Sequence, residues 1–448
     1  MAYFTALPTE IILAIVEPLS HSDIKSLSCM DRRLRNVITH ILFRTLSIAM
    51  PLVSHLMLDH MLKKYEPVIS KIHLHVYLRP NLEEDDNNTE MPCIGGTTKS
   101  DLLLQLVNGK TFSHIDSFNI HFDPCQFDIA GRWYGNDGDW GGGHGSGSIT
   151  VFEDEEDEHE CFEREKEHVW RAQYMQVLAE IMRNPNIRKL RIENLLPRRT
   201  SVFDTWVWPE FLGQITHLDL GIFGAECSGW SGNTMPGFTQ FMDDFLPKDI
   251  MKHLVNLKHL RLEASKLSVF GEGMYGGEPF STPDRIPTVE SLELKNIVLG
   301  FTFFRFLEER GDSLRQLTLH NCMCLAIIEP QSPDNWPSTE HEEVQWSDIW
   351  ACVVLRCPAM RTVTFLQDEL PPLPPSIEDY IEEDMDLAVW RHVVIDPEWG
   401  TIEENEDANA EELLLDQACK VYDNMMEVLA ERREKDKSSP HAEATETK

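Results

Sequence analysis

The segment GGTTKS, Gly95 to Ser100, places a Lys-Ser pair ahead of the helix-like run DLLLQLV, an order that in a phosphate-binding loop cradles an anion on backbone N–H groups. Such a loop needs glycine directly before the lysine and a buried strand ahead of it. Thr98 and the polar flank NLEEDDNNTEMP stand there instead, so Ser100 is read as a helix cap. The alternate glycines Gly143, Gly145 and Gly147 precede an acidic run, which repels phosphate. HEEVQ from His341 lacks the second histidine with which a zinc-protease helix grips the ion from one face. Cys322 with Cys324, and Cys352 with Cys357, lack zinc-ribbon spacing and are read as core thiols. No Ser, His and Asp set stands out for nucleophilic catalysis. The expectation is a protein that is not an enzyme, with no catalytic residue, no cofactor and no metal ligand.

Composition bounds the partners. Among 448 residues, 75 Asp and Glu oppose 40 Lys and Arg, a formal charge of -35. Phosphate backbones are repelled over most of such a surface, and no local basic patch is large enough to offset this. No apolar run reaches the ~18 residues of a membrane span. Nucleic acid and membrane are therefore not expected partners. The cysteines are scattered, and the apolar N-terminus lacks the basic leader and small-residue cleavage site of a signal peptide. Reduced thiols and a cytoplasmic or nuclear location are expected.

The first fifty residues carry apolar side chains at helical spacing. Ile11, Ile12, Ile15, Val16 and Leu19 predict a helix from Glu10 to Leu19 with Thr9 as cap. Asp23 is expected to cap a second helix bearing Ile24, Leu27 and Cys29, and a third is predicted from Asp31 to Phe43. Three helices this short cannot bury all that apolar surface among themselves. The order Leu7-Pro8, Glu10-Ile11, Ile15, Leu19, Asp23-Ile24, Leu27, then Arg32 to Arg35 and LFRTLSI from Leu42, resembles a fungal-type F-box. That resemblance implies docking on the Skp-family adaptor, and through it on cullin, with Leu7, Pro8, Ile11, Ile15, Leu19 and Leu27 as adaptor-binding residues.

From Ile69 onward one triplet returns: apolar, two others, apolar, one other, apolar. It reads ISKIHL at Ile69, then Ile115, Phe118 and Ile120, then IRKLRI, ITHLDL, LKHLRL, VESLEL, LRQLTL and MRTVTF, with Trp390, Val393 and Ile395 as a ninth. Alternation over the last three positions is a half-buried strand, and helical segments precede several of them. This is similar to leucine-rich repeats, but strand-start intervals run from 25 to 72 residues, against ~20 to 29 in regular arrays. The expected fold is α/β: a short helical F-box followed by an irregular leucine-rich-repeat-like solenoid with long disordered insertions. A doubly wound parallel sheet is set aside because its buried strands would lack His217, Asp219, His259 and Arg261.

The expected boundaries are 1–50 for the F-box-like motif, 51–400 for the repeat domain with a glycine-rich and acidic insertion at about 131–168, and 401–448 for an acidic segment, a helix from Glu411 to Arg433 and a frayed tail. ELPPLPPS from Glu369 is read as a stiff linker. The functional expectation is a substrate-recognition subunit of an SCF-type ubiquitin ligase whose repeat domain binds an unknown target protein. The alternative is a repeat scaffold for protein–protein interaction without ubiquitin transfer.

Overall fold

The computed structural model describes residues 7–50, 52, 55–79, 101–110, 112–127, 149, 151–152, 156–227, 230–231, 235–271, 280, 286, 288–325, 344–374, 390–395, 402–415 and 417–437. The phosphate-loop-like segment, the glycine run, HEEVQ up to Glu343, and the tail beyond Lys437 lie outside them.

Three helices open the chain: α1 (Thr9–Val16), α2 (His21–Met30) and α3 (Arg32–Leu42). Their caps differ from expectation. Pro8, not Thr9, is the N-cap of α1, and Ser20, not Asp23, caps α2 by accepting from the Asp23 N–H. Asp31 caps α3 through the N–H groups of Arg33 and Leu34. Ile12, Val16, Ile24, Leu34 and Ile38 form a small core of their own.

Nine strands come next, labelled β1 (Thr45–Met50), β2 (Lys71–Val76), β3 (Ser117–Phe122), β4 (Lys189–Leu195), β5 (His217–Ile222), β6 (His259–Glu263), β7 (Ser291–Lys295), β8 (Gln316–His320) and β9 (Thr362–Leu366). They make one parallel sheet in which spatial order is chain order. The register is uniform: the first residues of neighbouring strands are partners from Thr45↔Lys71 to Gln316↔Thr362. Alternation then acts on the whole sheet at once. Leu74, Ile120, Ile192, Leu220, Leu262, Leu294 and Leu319 fall on one face and join a single core with helices Val169–Ile181, Val207–Gln214, Phe301–Arg310, Trp346–Arg356 and Gln417–Lys437. The opposite face is polar and holds His73, His75, His121, Arg191, Asp219, Arg261 and Glu293. Asn194, Asn296 and Asn321 adopt positive φ at or beyond strand ends, a conformation asparagine tolerates. The Asn194 and Asn296 side-chain amides donate to the carbonyls of Phe122 and Ala264 on the preceding turns.

A second, five-stranded sheet runs Ile402–Glu404, His392–Ile395, Met323–Leu325, Ile297–Leu299 and Phe270–Gly271. The strand expected as ninth in the series therefore belongs here, pairing with Met323–Leu325 instead of β9. Trp346, Trp350, Phe365, Trp390 and Tyr422 stack where the two sheets and the long C-terminal helix meet. That helix runs Gln417–Lys437 after Glu406–Leu415, on which Leu414 and Leu415 are exposed.

The expected fold class is corrected. The sheet begins at Thr45, inside the 1–50 segment read as an F-box. The part of the 131–168 insertion that is described forms a helix, Glu158–Glu167, closed by an Asp157–Glu160 capping box. Unequal intervals along the chain leave the sheet unbroken, because parallel pairing is decided by strand register, not by the length of the crossover. In place of a helical motif plus an irregular solenoid, the finding is an α/β structure with a continuous nine-stranded parallel sheet and helices packed on one core.

Candidate metal centre on the polar sheet face

Strands β2, β3 and β4 lie side by side, so His75, His121 and Glu193 are consecutive register partners on the polar face. Their spacing is that of adjacent strands, ~4.8 Å. Asp123 stands immediately after β3. Its backbone N–H donates to Val76 O at 2.9 Å, and one carboxylate oxygen accepts the Cys125 N–H at 2.8 Å as the cap of the turn Pro124–Gln126. The other oxygen is thereby aimed at His75, whose Nε2 lies 2.6 Å away. His75 is stacked on Tyr77, ring centroids 4.6 Å apart, and meets His121 edge-on at 4.7 Å.

His121 Nδ1 lies 2.8 Å from Glu193 Oε2. Glu193 is held in turn by Asn119 Nδ2 at 3.0 Å and Arg191 Nε at 2.9 Å, both on Oε1. With Nδ1 engaged by a carboxylate, His121 carries its proton there and keeps Nε2 as a free lone pair, the arrangement of metal-ligating histidines. One donor atom from each of His75, His121 and Asp123 lies within 4.8 Å of the others, and all three residues are half-buried. Ions of this class hold ligands at about 2.0 to 2.2 Å. Loading therefore requires a short side-chain closure and loss of the proton shared by His75 and Asp123.

The electrostatics suit a cation. Partial burial pushes the Asp123 carboxyl up, but the bonds from Cys125 and His75 outweigh it and hold it below its usual value. Burial acts likewise on Glu193, where Asn119, His121 and Arg191 win. Both groups are anionic at neutral pH. Beside the centre a groove of about 510 Å³ runs across β1 to β7, lined by His73, Asn119, Arg191, His217 and Arg261 among others. Arg261 binds Asp219, Glu263 and Glu293 at 2.7 to 3.0 Å.

The residues expected to bind an adaptor are elsewhere. Pro8, Ile11, Ile15 and Leu19 are exposed, Ile11 by 48%, Ile15 by 39% and Leu19 by 36%, while Leu7 and Leu27 pack half-buried against the core of α1–α3. None reaches the centre. The expectation of a non-enzymatic protein is corrected by the His75–His121–Asp123 cluster, whose donor atoms could hold a metal ion and which sequence reading missed because 46 residues separate the two histidines. A signal was present: aligning the triplets on their last apolar residue puts His75, His121 and Glu193 in one column.

No protein-family model and no curated protein matches this chain. The continuous nine-stranded parallel sheet with helices packed on one core overturns the F-box and leucine-rich-repeat resemblance, and with it the ubiquitin-ligase receptor and the simple scaffold. The spaced apolar residues on which it rested include Ile24, which closes the small core of α1–α3.

Proposed function

We propose that this protein is a metal-dependent α/β protein in which His75, His121 and Asp123 hold a divalent first-row ion and present it to a small substrate in the neighbouring groove. The observation that carries the reading is the convergence of three donor atoms within 4.8 Å, with Glu193 Oε2 seated 2.8 Å from His121 Nδ1. Two histidines and one carboxylate suit Zn²⁺ or Fe²⁺ and leave coordination positions open. When bound, such an ion supplies Lewis-acid polarisation of a substrate or water oxygen. The chain's own part is to orient. Asp123 is fixed by its turn, His75 by Tyr77 and His121 by Glu193. Titration of chelator-treated protein with Zn²⁺ is expected to show one site, lost in His121→Ala and in Asp123→Ala. A wild-type protein that takes up no ion at micromolar concentrations refutes the reading.

The uncovered strip Pro8, Ile11, Ile15 and Leu19 supports a separate proposal, a protein partner for α1. The Skp-type adaptor, and cullin through it, stands as the partner to test on that surface. No helix among the described residues is long and apolar enough to cross a membrane. A cytoplasmic or nuclear location is proposed on the free thiols of Cys29, Cys125, Cys161, Cys322, Cys324, Cys352 and Cys357.

A further inference from the structure

The edge at which the nine strands enter the sheet has a charge opposite to that of the chain. Take the residue before each strand and the first residue within it, eighteen positions in all. Seven are Lys or Arg, Arg44, Arg188, Lys258, Arg315 and Arg361 before the strands with Lys71 and Lys189 inside them, and only Asp116 and Glu290 are acidic. The whole chain holds 75 acids to 40 bases. The row is rigidly spaced, because the carbonyls of the residues before the strands accept N–H bonds from the next strand's entry: Arg44 O from Lys71, Arg188 O from His217, Lys258 O from Ser291 and Arg315 O from Thr362, all at 2.9 to 3.1 Å.

Several of these cations make no close ion pair within the described residues, although Arg315 lies near enough to Glu290 and Asp436 to lower both carboxyls. Arg44, Lys71, Arg188 and Arg315 are exposed and make no ion pair there, and Lys189 reaches Asp116 only at 3.9 Å. Lys258 and Arg361 are paired, with Glu290 and Asp436. The surrounding groups register the positive field. Glu290 is held below its usual value by its bond from Lys258, with a further contribution from Arg315. His217 is lowered by burial and then by His259 and Lys189, with Asp116 opposing and Lys258 adding a lesser contribution.

We infer that this strand-entry edge is a docking surface for an acidic peptide segment lying across the strands. Eight inter-strand steps of ~4.8 Å make a row of about 38 Å, the length of about 11 or 12 extended residues at ~3.3 Å each. Charge complementarity selects the occupant. A duplex presents a charge every ~1.7 Å over its whole length and would run past the row onto an acidic surface, whereas a short peptide of Asp and Glu ends with it. The assignment does not use the metal ligands, which sit on the face at the other end of β2 and β3, although Lys71 and Lys189 also line the groove beside them.

The test uses the full chain with chelator in the buffer and a dye-labelled dodecapeptide of alternating Glu and Ser, monitored by fluorescence anisotropy at low and at physiological salt. The wild type is expected to bind, more weakly as salt rises. The variant Lys71→Ser, Lys189→Ser, Arg315→Ser should weaken binding at least tenfold with an unchanged thermal melt, whereas the control Lys25→Ser, Lys248→Ser, Lys435→Ser should change it less than twofold. No binding by the wild type at low salt, equal loss in the control, or tighter binding of a single-stranded DNA dodecamer than of the peptide overturns the inference.

Discussion

Replacing Glu193 by Gln preserves the shape of the side chain and removes its charge, and the neighbouring donors fix how the new amide must sit. Glu193 Oε1 faces two obligate donors, Asn119 Nδ2 at 3.0 Å and Arg191 Nε at 2.9 Å. In Glu193→Gln the amide oxygen must therefore take that side, which turns the NH₂ toward His121 Nδ1. A donor facing Nδ1 makes that nitrogen the acceptor, so the ring proton moves to Nε2, the atom available to the ion. Binding then has to displace the proton or break the new hydrogen bond. Loss of a partner on the far nitrogen of a ligating histidine costs about 10- to 100-fold in metal affinity, about 1.4 to 2.7 kcal/mol, and the wrong tautomer places Glu193→Gln at the upper end. Glu193→Ala leaves Nδ1 to water, which accepts its proton, so the alanine variant should lose less affinity than the glutamine one. Competition against a chromophoric chelator, with Zn²⁺ near neutral pH, reads both variants. The reasoning fails if Glu193→Gln binds as the wild type does, or if Glu193→Ala is the more damaging change.

Three further outcomes are expected. Ile11→Asp with Ile15→Asp should shift stability by no more than about 0.5 kcal/mol, since both side chains face solvent, and should abolish capture of a Skp-type adaptor; Ile12→Asp, fully buried, should unfold α1–α3. Wild-type protein that captures no adaptor in a pull-down removes that partner. At Gly311, the C-cap of helix Phe301–Arg310, a methyl group would meet the Arg356 carbonyl of the adjacent helix, so Gly311→Ala should cost about 2 kcal/mol in urea unfolding; an unchanged midpoint contradicts the packing. Burial pushes the Asp249 carboxyl from 3.8 up to about 6, against the pull of Arg199. A raised carboxyl pKa means the folded state holds the proton more tightly, so this contribution is full below the unfolded value and is lost as pH rises through about 6. Asp249→Asn should remove that loss and gain, after screening of a partly exposed group, about 1 kcal/mol near pH 7; lower stability there would reverse the sign.

Much of the strand framework was legible because alternation is a local property. The last two apolar residues of the triplets ending at Leu74, Ile120, Ile192, Leu220, Leu262, Leu294, Leu319 and Phe365 all lie in strands of the large sheet, and the first residue stands just before each strand. β1 was missed although Phe43, Leu46 and Ile48 carry the same spacing, because LFRTLSI was absorbed into the preceding motif. The Pro8 and Ser20 caps were misplaced by a residue or more, as helix ends are decided by backbone geometry around the first turn.

What the sequence by itself determined is the alternation that makes these strands half-buried, the apolar repeat that gives α1–α3 a core, and an excess of acid that governs the chain's long-range field. What only the tertiary structure decided is which polar residues become neighbours. His75 and His121 are 46 residues apart and one strand apart in space; Arg44 and Arg361 stand 317 residues apart at the two ends of one row. Side-chain identity is encoded residue by residue, but the column in which a side chain stands is set by register, and register depends on hydrogen bonds between segments that no local pattern specifies.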